Sequence, residues 1–138
     1  MEYISCSDPR VWGDSDARTI QNAIALAKQE GCDQVVIPRV NARTGEAVWH
    51  IDENIVLPSS MTVILSGAYL RAADDLPVHV FCTELSQTEL HDIRILGTGE
   101  ATIDGGAWTR ENRPEYYHEQ APEEYPDGCD YDLISLFN

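Results

Sequence analysis

Ile93-Arg94-Ile95-Leu96-Gly97-Thr98-Gly99-Glu100-Ala101-Thr102-Ile103-Asp104-Gly105-Gly106-Ala107-Trp108 is the stretch on which the reading of this chain turns. Two short β-rich runs, Ile93–Leu96 and Ala101–Ile103, flank Gly97–Glu100, and a further turn signal, Asp104-Gly105-Gly106, follows at once. Strands of three or four residues between glycine turns are too short for an ordinary hairpin sheet. They suit a chain that bends at each turn and stacks on a copy of itself above and below. The expected fold class is all-β: a right-handed parallel β-helix, represented by its first coils.

The residues before this stretch fit the same plan. Residues 1–15 read as an irregular lead-in, and Asp14-Ser15-Asp16 opens the one convincing helix, Ala17 to about Glu30. Ser15 or Asp14 can cap its free N–H groups, and Asp16 sets negative charge at the positive end of the dipole. Ile20, Ala23, Ile24 and Ala27 recur at helical spacing and form a narrow apolar stripe, and Gly31 ends the helix. A single amphipathic helix ahead of many strands reads as the cap that a solenoid needs over its first coil. Expected strands are Gln34–Ile37 (stopped by Pro38), Val48–Ile51, Ile55–Leu57, Met61–Leu65, Ala68–Leu70, Val78–Cys82, Ile93–Leu96, Ala101–Ile103 and Leu133–Phe137. Several are continuous apolar runs, as in strands packed inside and paired on both edges. The domain is expected to span 16–138, to be cut short at its C-terminus, and to carry an acidic, tyrosine-rich loop insertion over 109–132. The strand Leu133–Phe137 is expected to rejoin the stack beside Ile93–Leu96.

Charge narrows the partners. With 24 acidic residues against 9 basic the formal net charge is -15, which argues against nucleic acid and against an anionic membrane. No stretch approaches the roughly 20 apolar residues of a membrane span. Cys6, Cys32, Cys82 and Cys129 lie far apart, with neither a zinc spacing nor a dense disulfide framework. The opening residues hold Glu2, Asp8, Arg10 and Asp14 and no run of signal-peptide type. A reduced, cytoplasmic location is the expectation, with no cofactor and no metal.

The order of motifs resembles a known family. Asp16-Ala17-Arg18-Thr19-Ile20-Gln21-Asn22-Ala23-Ile24, then Gly31 and Val35-Val36-Ile37-Pro38, resembles the start of pectin-lyase-like right-handed β-helix proteins. Ile55–Ser59 through Met61–Leu65 to Gly67–Ala72, and then Ile93–Gly97 with Ala101–Gly106, resemble the segments that follow. The order is closest to family 28 glycoside hydrolases, the polygalacturonase group. The resemblance implies hydrolysis of glycosidic bonds in pectin-type polysaccharide. It also implies that the catalytic aspartates and histidine lie on later coils, so no catalytic residue is assigned here. Arg39-Val40-Asn41-Ala42-Arg43 departs from the family, being longer and more polar. A non-catalytic carbohydrate-binding or structural β-helix module, or a polysaccharide lyase on the same fold, stays open.

Candidate chemistry is sparse. An inverting glycosidase needs two carboxyl groups with room for a water between them. Asp74-Asp75 invites that role but reads as a coil-edge turn, and Asp104 before Gly105 reads as a carboxylate bonding its own backbone. Glu123-Glu124 have no supporting context. Among the histidines, His50 and His79 sit in apolar runs and read as core or edge residues, whereas His91 and His118 read as loop residues. Residues 111–132 hold eight acids, one base and four of the six tyrosines. Tyr116, Tyr117 and His118 within that run are the candidate carbohydrate contacts, through ring stacking and hydrogen bonds to hydroxyls. Expected partners are a poly- or oligosaccharide and, through an open last strand, a second copy of the chain.

Overall fold

The computed structural model describes residues 2–83, 89–107 and 134–135. Among them is one α-helix, α1 (Asp16–Glu30), and the rest of the regular structure is mostly β. The strands are β1 (Ile4–Ser5), β2 (Gln34–Pro38), β3 (Trp49–Ile51), β4 (Ile55–Val56), β5 (Met61–Ser66), β6 (Tyr69–Ala72), β7 (Phe81–Cys82), β8 (Ile93–Thr98), β9 (Thr102–Asp104) and β10 (Ile134–Ser135). They form three sheets, ordered β1-β2-β5-β8, β3-β6-β9 and β4-β7-β10, in which every pairing is parallel. The chain therefore places β2, β3 and β4 in one sheet each, then lays β5, β6 and β7 beside them. A third circuit follows in β8, β9 and β10.

Register turns these circuits into columns of side chains. Val35 pairs with Val63 and Val63 with Ile95; Trp49 pairs with Leu70 and Leu70 with Ile103; Ile55 pairs with Phe81 and Phe81 with Ile134. In the first two circuits these residues are fully buried. In the third, Ile95 and Ile103 are only partly buried and Ile134 is exposed. The apolar runs conceal an alternation. In Val35-Val36-Ile37 the outer two residues face the core and Val36 faces out, and β5 alternates in the same way. The turns after β5 and β8 also repeat: Gly67 and Gly99 both have positive φ, and a Cβ on Gly99 would sit 3.8 Å from the Cα of Gly67.

Helix α1 begins and ends where its sequence predicts. The Ser15 hydroxyl accepts the Arg18 N–H at 3.1 Å, and Gly31 closes the helix in the left-handed region, with φ of 74°. Ala17, Ile20, Ala23, Ile24 and Ala27 are buried against β1, β2, β3 and β4. The helix thus covers the first circuit. It also addresses the backbone there, because a strand that starts a sheet has one row of N–H and C=O groups without a partner strand. The Asp16 carboxylate accepts the His50 N–H of β3 at 2.7 Å. Gln21 brackets Val56 of β4, accepting its N–H at 2.8 Å and donating to its carbonyl at 3.0 Å. The Lys28 ammonium donates to the Ser59 carbonyl at 3.1 Å.

Two expectations need correction. The lead-in is not wholly irregular: Ile4 and Ser5 pair in parallel with Val35 and Val36, and Pro9–Val11 makes a 3₁₀ turn capped by Asp8. Strand β1 thereby fills the edge of the first sheet, which no α1 side chain fills. The strand expected over Leu133–Phe137 beside Ile93–Leu96 is placed differently where it is described. Its described part, Ile134–Ser135, lies against Phe81–Cys82 in the third sheet. The physical reason is occupancy: β8 and β9 already continue the first and second sheets, so the next strand falls to the third.

The edge contacts have a measurable consequence. Gln21→Ala leaves two backbone groups of β4 without partners, so unfolding in urea should show a loss of about 1–3 kcal/mol. Gln29→Ala, on the exposed flank of the same helix, should cost almost nothing. Equal losses for the two variants would refute the edge-filling role.

Candidate functional site

Among the described residues, the outer face of the β3-β6-β9 sheet holds a cluster of polar side chains. Alternation sends His50, Arg71 and Asp104 outward, and register sets them in one row across three circuits. Tyr69, two residues before Arg71, shares that face. Its hydroxyl donates a short hydrogen bond to Asp104 Oδ2, and the Arg71 Nε lies 3.9 Å from the same carboxylate. The other guanidinium arm meets Asp74 Oδ1 at 2.8 Å. Asp74 Oδ1 also accepts the Ala107 N–H at 2.8 Å, while the Asp75 N–H donates to the Ala107 carbonyl at 2.9 Å. The turn after β6 is thereby fastened to the turn after β9.

These contacts decide what the two carboxylates can do. The Tyr69 hydroxyl and then the Gly106 N–H hold the Asp104 carboxyl below its ordinary range. The Ala107 N–H, followed by the Arg71 guanidinium, does the same for Asp74. Tyr69 moves the other way: its bond to Asp104, helped by desolvation, pushes its hydroxyl above the usual phenol value. A glycosidase acid must hold its proton near neutral pH. Asp74 and Asp104 are both tuned in the opposite direction. Both also sit at turns, as the sequence predicts, and Asp104 Oδ1 accepts the Gly106 N–H at 2.9 Å. The cluster is suited to binding: a fixed phenol ring beside a guanidinium and two ionised carboxylates can stack on and hydrogen-bond a polyol.

The remaining candidates fall apart or into structural roles. His50 is not a core residue; its ring is exposed on the outer face and lies 3.8 Å from the Glu46 carboxylate. His79 is half-buried after β6. Ser59, His91 and Asp92 come together, but the Ser59 hydroxyl accepts the backbone N–H of His91, and the His91 ring turns to Asp92 at 3.0 Å. Without a contact between ring and hydroxyl this is not a nucleophile and its base. Asp16, buried at 4 % exposure, accepts Asn41 Nδ2 at 2.8 Å and Arg43 Nη2 at 2.5 Å besides His50 N–H. The polar stretch Arg39–Arg43 thus grips the start of α1. Tyr116, Tyr117 and His118 lie outside the described residues, as do Glu123-Glu124 and the whole run 109–132.

Sequence reasoning missed the Tyr69–Arg71–Asp104 cluster. Spacing by two on a strand puts Tyr69 and Arg71 on one face, but Asp104 joins them only through the register of the next circuit. Among the described residues no group of His, Cys, Asp and Glu is arranged to hold a metal ion. No helix among them is long and apolar enough to cross a membrane. Comparison with known proteins gives no significant match to any family model, curated protein or solved structure.

The pH behaviour follows from the directions above. Asp104 titrates lower folded than unfolded, so its contribution to stability is fully present above about pH 4. That contribution is lost as pH falls through its folded value. Tyr69→Phe should move the Asp104 carboxyl ¹³C titration upward and leave Asp74 much less affected. An unchanged Asp104 titration would show that the phenol bond does not hold the carboxylate.

Proposed function

We propose that the chain is the capped beginning of a right-handed parallel β-helix of the pectin-lyase-like kind, and that it serves a polysaccharide-degrading glycoside hydrolase of the polygalacturonase group. The observation that carries this reading is the strand order: three parallel sheets, one strand per sheet in every circuit, and one helix over the first. Crossovers between parallel strands of one sheet are right-handed in about 98 % of cases, which supports the hand. The motif order from Asp16 to Gly106 supports the family.

In this reading the described residues contribute scaffold and sugar contact, and the acid and base lie outside them. The outer face around Tyr69, Arg71 and Asp104 is the favoured contact for glycan. A non-catalytic binding module is the second reading. It is favoured by the state of Asp74 and Asp104, each held ionised by its own hydrogen bonds.

The test is to assay the 138-residue chain for release of reducing ends from polygalacturonate and rhamnogalacturonan, and to measure retention on the same polymers immobilised. Retention without cleavage, weakened about tenfold by Tyr69→Ala, is the expected result. Cleavage that survives Asp74→Asn and Asp104→Asn would show that a different set of residues is catalytic. Absence of any retention would remove carbohydrate from the proposal.

A further inference from the structure

On the flank of α1 away from the Tyr69 face lies a cleft of about 570 Å³, formed between the helix, the turn after β4 and the residues just before β8. This is within the size range of sites for small organic molecules. Its walls are mixed, apolar at Ala25 from the helix, Pro58 from the turn and Leu90 opposite, and polar at Gln21, Ser59 and Glu89. At its edge stands Lys28, the only lysine in the chain. An ammonium has three donors, and Lys28 uses one on the Ser59 carbonyl. It has no ion pair among the described residues. In a chain of net charge -15, a lysine that makes no ion pair among the described residues and lines a partly apolar cleft is a local exception to the surrounding field. One carboxylate, Glu89, shares the lining with Lys28.

We propose that this cleft binds a small amphipathic carboxylate, its anionic head on Lys28 and its apolar body along Ala25, Pro58 and Leu90. The site is independent of the glycan reading, since it uses another face and another chemistry. Non-specific electrostatics predict the reverse preference, because the field of so acidic a chain repels anions and attracts cations. A preference for the anion must therefore come from the local pairing.

Calorimetric titration of the intact chain with octanoate, and separately with octylammonium, tests it. Octanoate should bind saturably at one site, and octylammonium at least about tenfold more weakly. Lys28→Gln should weaken octanoate about tenfold, Lys28→Arg should keep most of the affinity, and Glu89→Gln should tighten it. Ala25 is exposed on the helix, so Ala25→Trp fills the cleft without entering the core and should abolish binding; circular dichroism confirms that each variant folds. The proposal is overturned by an absence of saturable octanoate binding, by equal or tighter octylammonium binding, or by octanoate binding that survives Ala25→Trp. It is also overturned by indifference to Lys28→Gln. None of these results bears on the polysaccharide assays, so the two readings fail separately.

Discussion

A stack of parallel strands begins with a row of backbone donors and acceptors that nothing below can satisfy, and this fold depends on how that row is filled. Three devices share the work. Strand β1 lies along β2, Gln21 stands in for a strand beside β4, and Asp16 takes the β3 N–H. Asp16 does more than fill an edge. It is buried, and it gathers Asn41 and Arg43 from the loop before β3 as well, so helix, loop and strand meet on one carboxylate. Removing Arg43, which is a quarter exposed, would leave the buried carboxylate with only its amide partners, a loss that falls on a domain whose whole stability is about 5–15 kcal/mol.

From that closed base, order is passed upward by stacking. The inward residues of β2 and β5 are covered above and below and are fully buried, whereas those of β8 and β9 have a paired strand on one side among the described residues and are partly open. The outer face inherits its geometry from the same register. Tyr69 and Arg71 reach Asp104, and Asp74 reaches Ala107, only because β9 lies one full circuit beyond β6. Polar groups on such a face are as well placed as the columns beneath them.

Much of the architecture was legible in the sequence because its signals are local. Ser15 and Gly31 bound the helix, the apolar stripe fixes its buried face, and glycine or proline marks most strand ends. Asp74 and Asp104 were legible as turn residues for the same reason. What escaped notice is non-local. Strand β1 is two residues long and exists only because β2 needs a neighbour. The role of Asp16 depends on a loop more than twenty positions away. The third sheet receives β10 because of which columns are already occupied, and no pattern within Leu133–Phe137 encodes that. The Tyr69 cluster was hidden in the same way, since its members become neighbours only when circuit length and register are known.

The columns also bear on how the chain finds its own order while folding. A stack of near-identical rungs could close with one rung skipped, giving a shorter coil with every hydrogen bond intact. Here the rungs carry different volumes: Trp49 lies under Leu70, and Ile51 under Ala72. The Trp49 indole further donates to the Pro38 carbonyl at 2.9 Å, a partner in its own circuit. Laying β9 directly on β3 would bring Ile103 against Trp49 and Asp104 against His50, and would strand Leu70 with its neighbours outside the stack. The penalty on such a miscounted assembly is the skipped rung itself, whose buried Leu70 and Ala72 would be left exposed although backbone pairing alone would accept it.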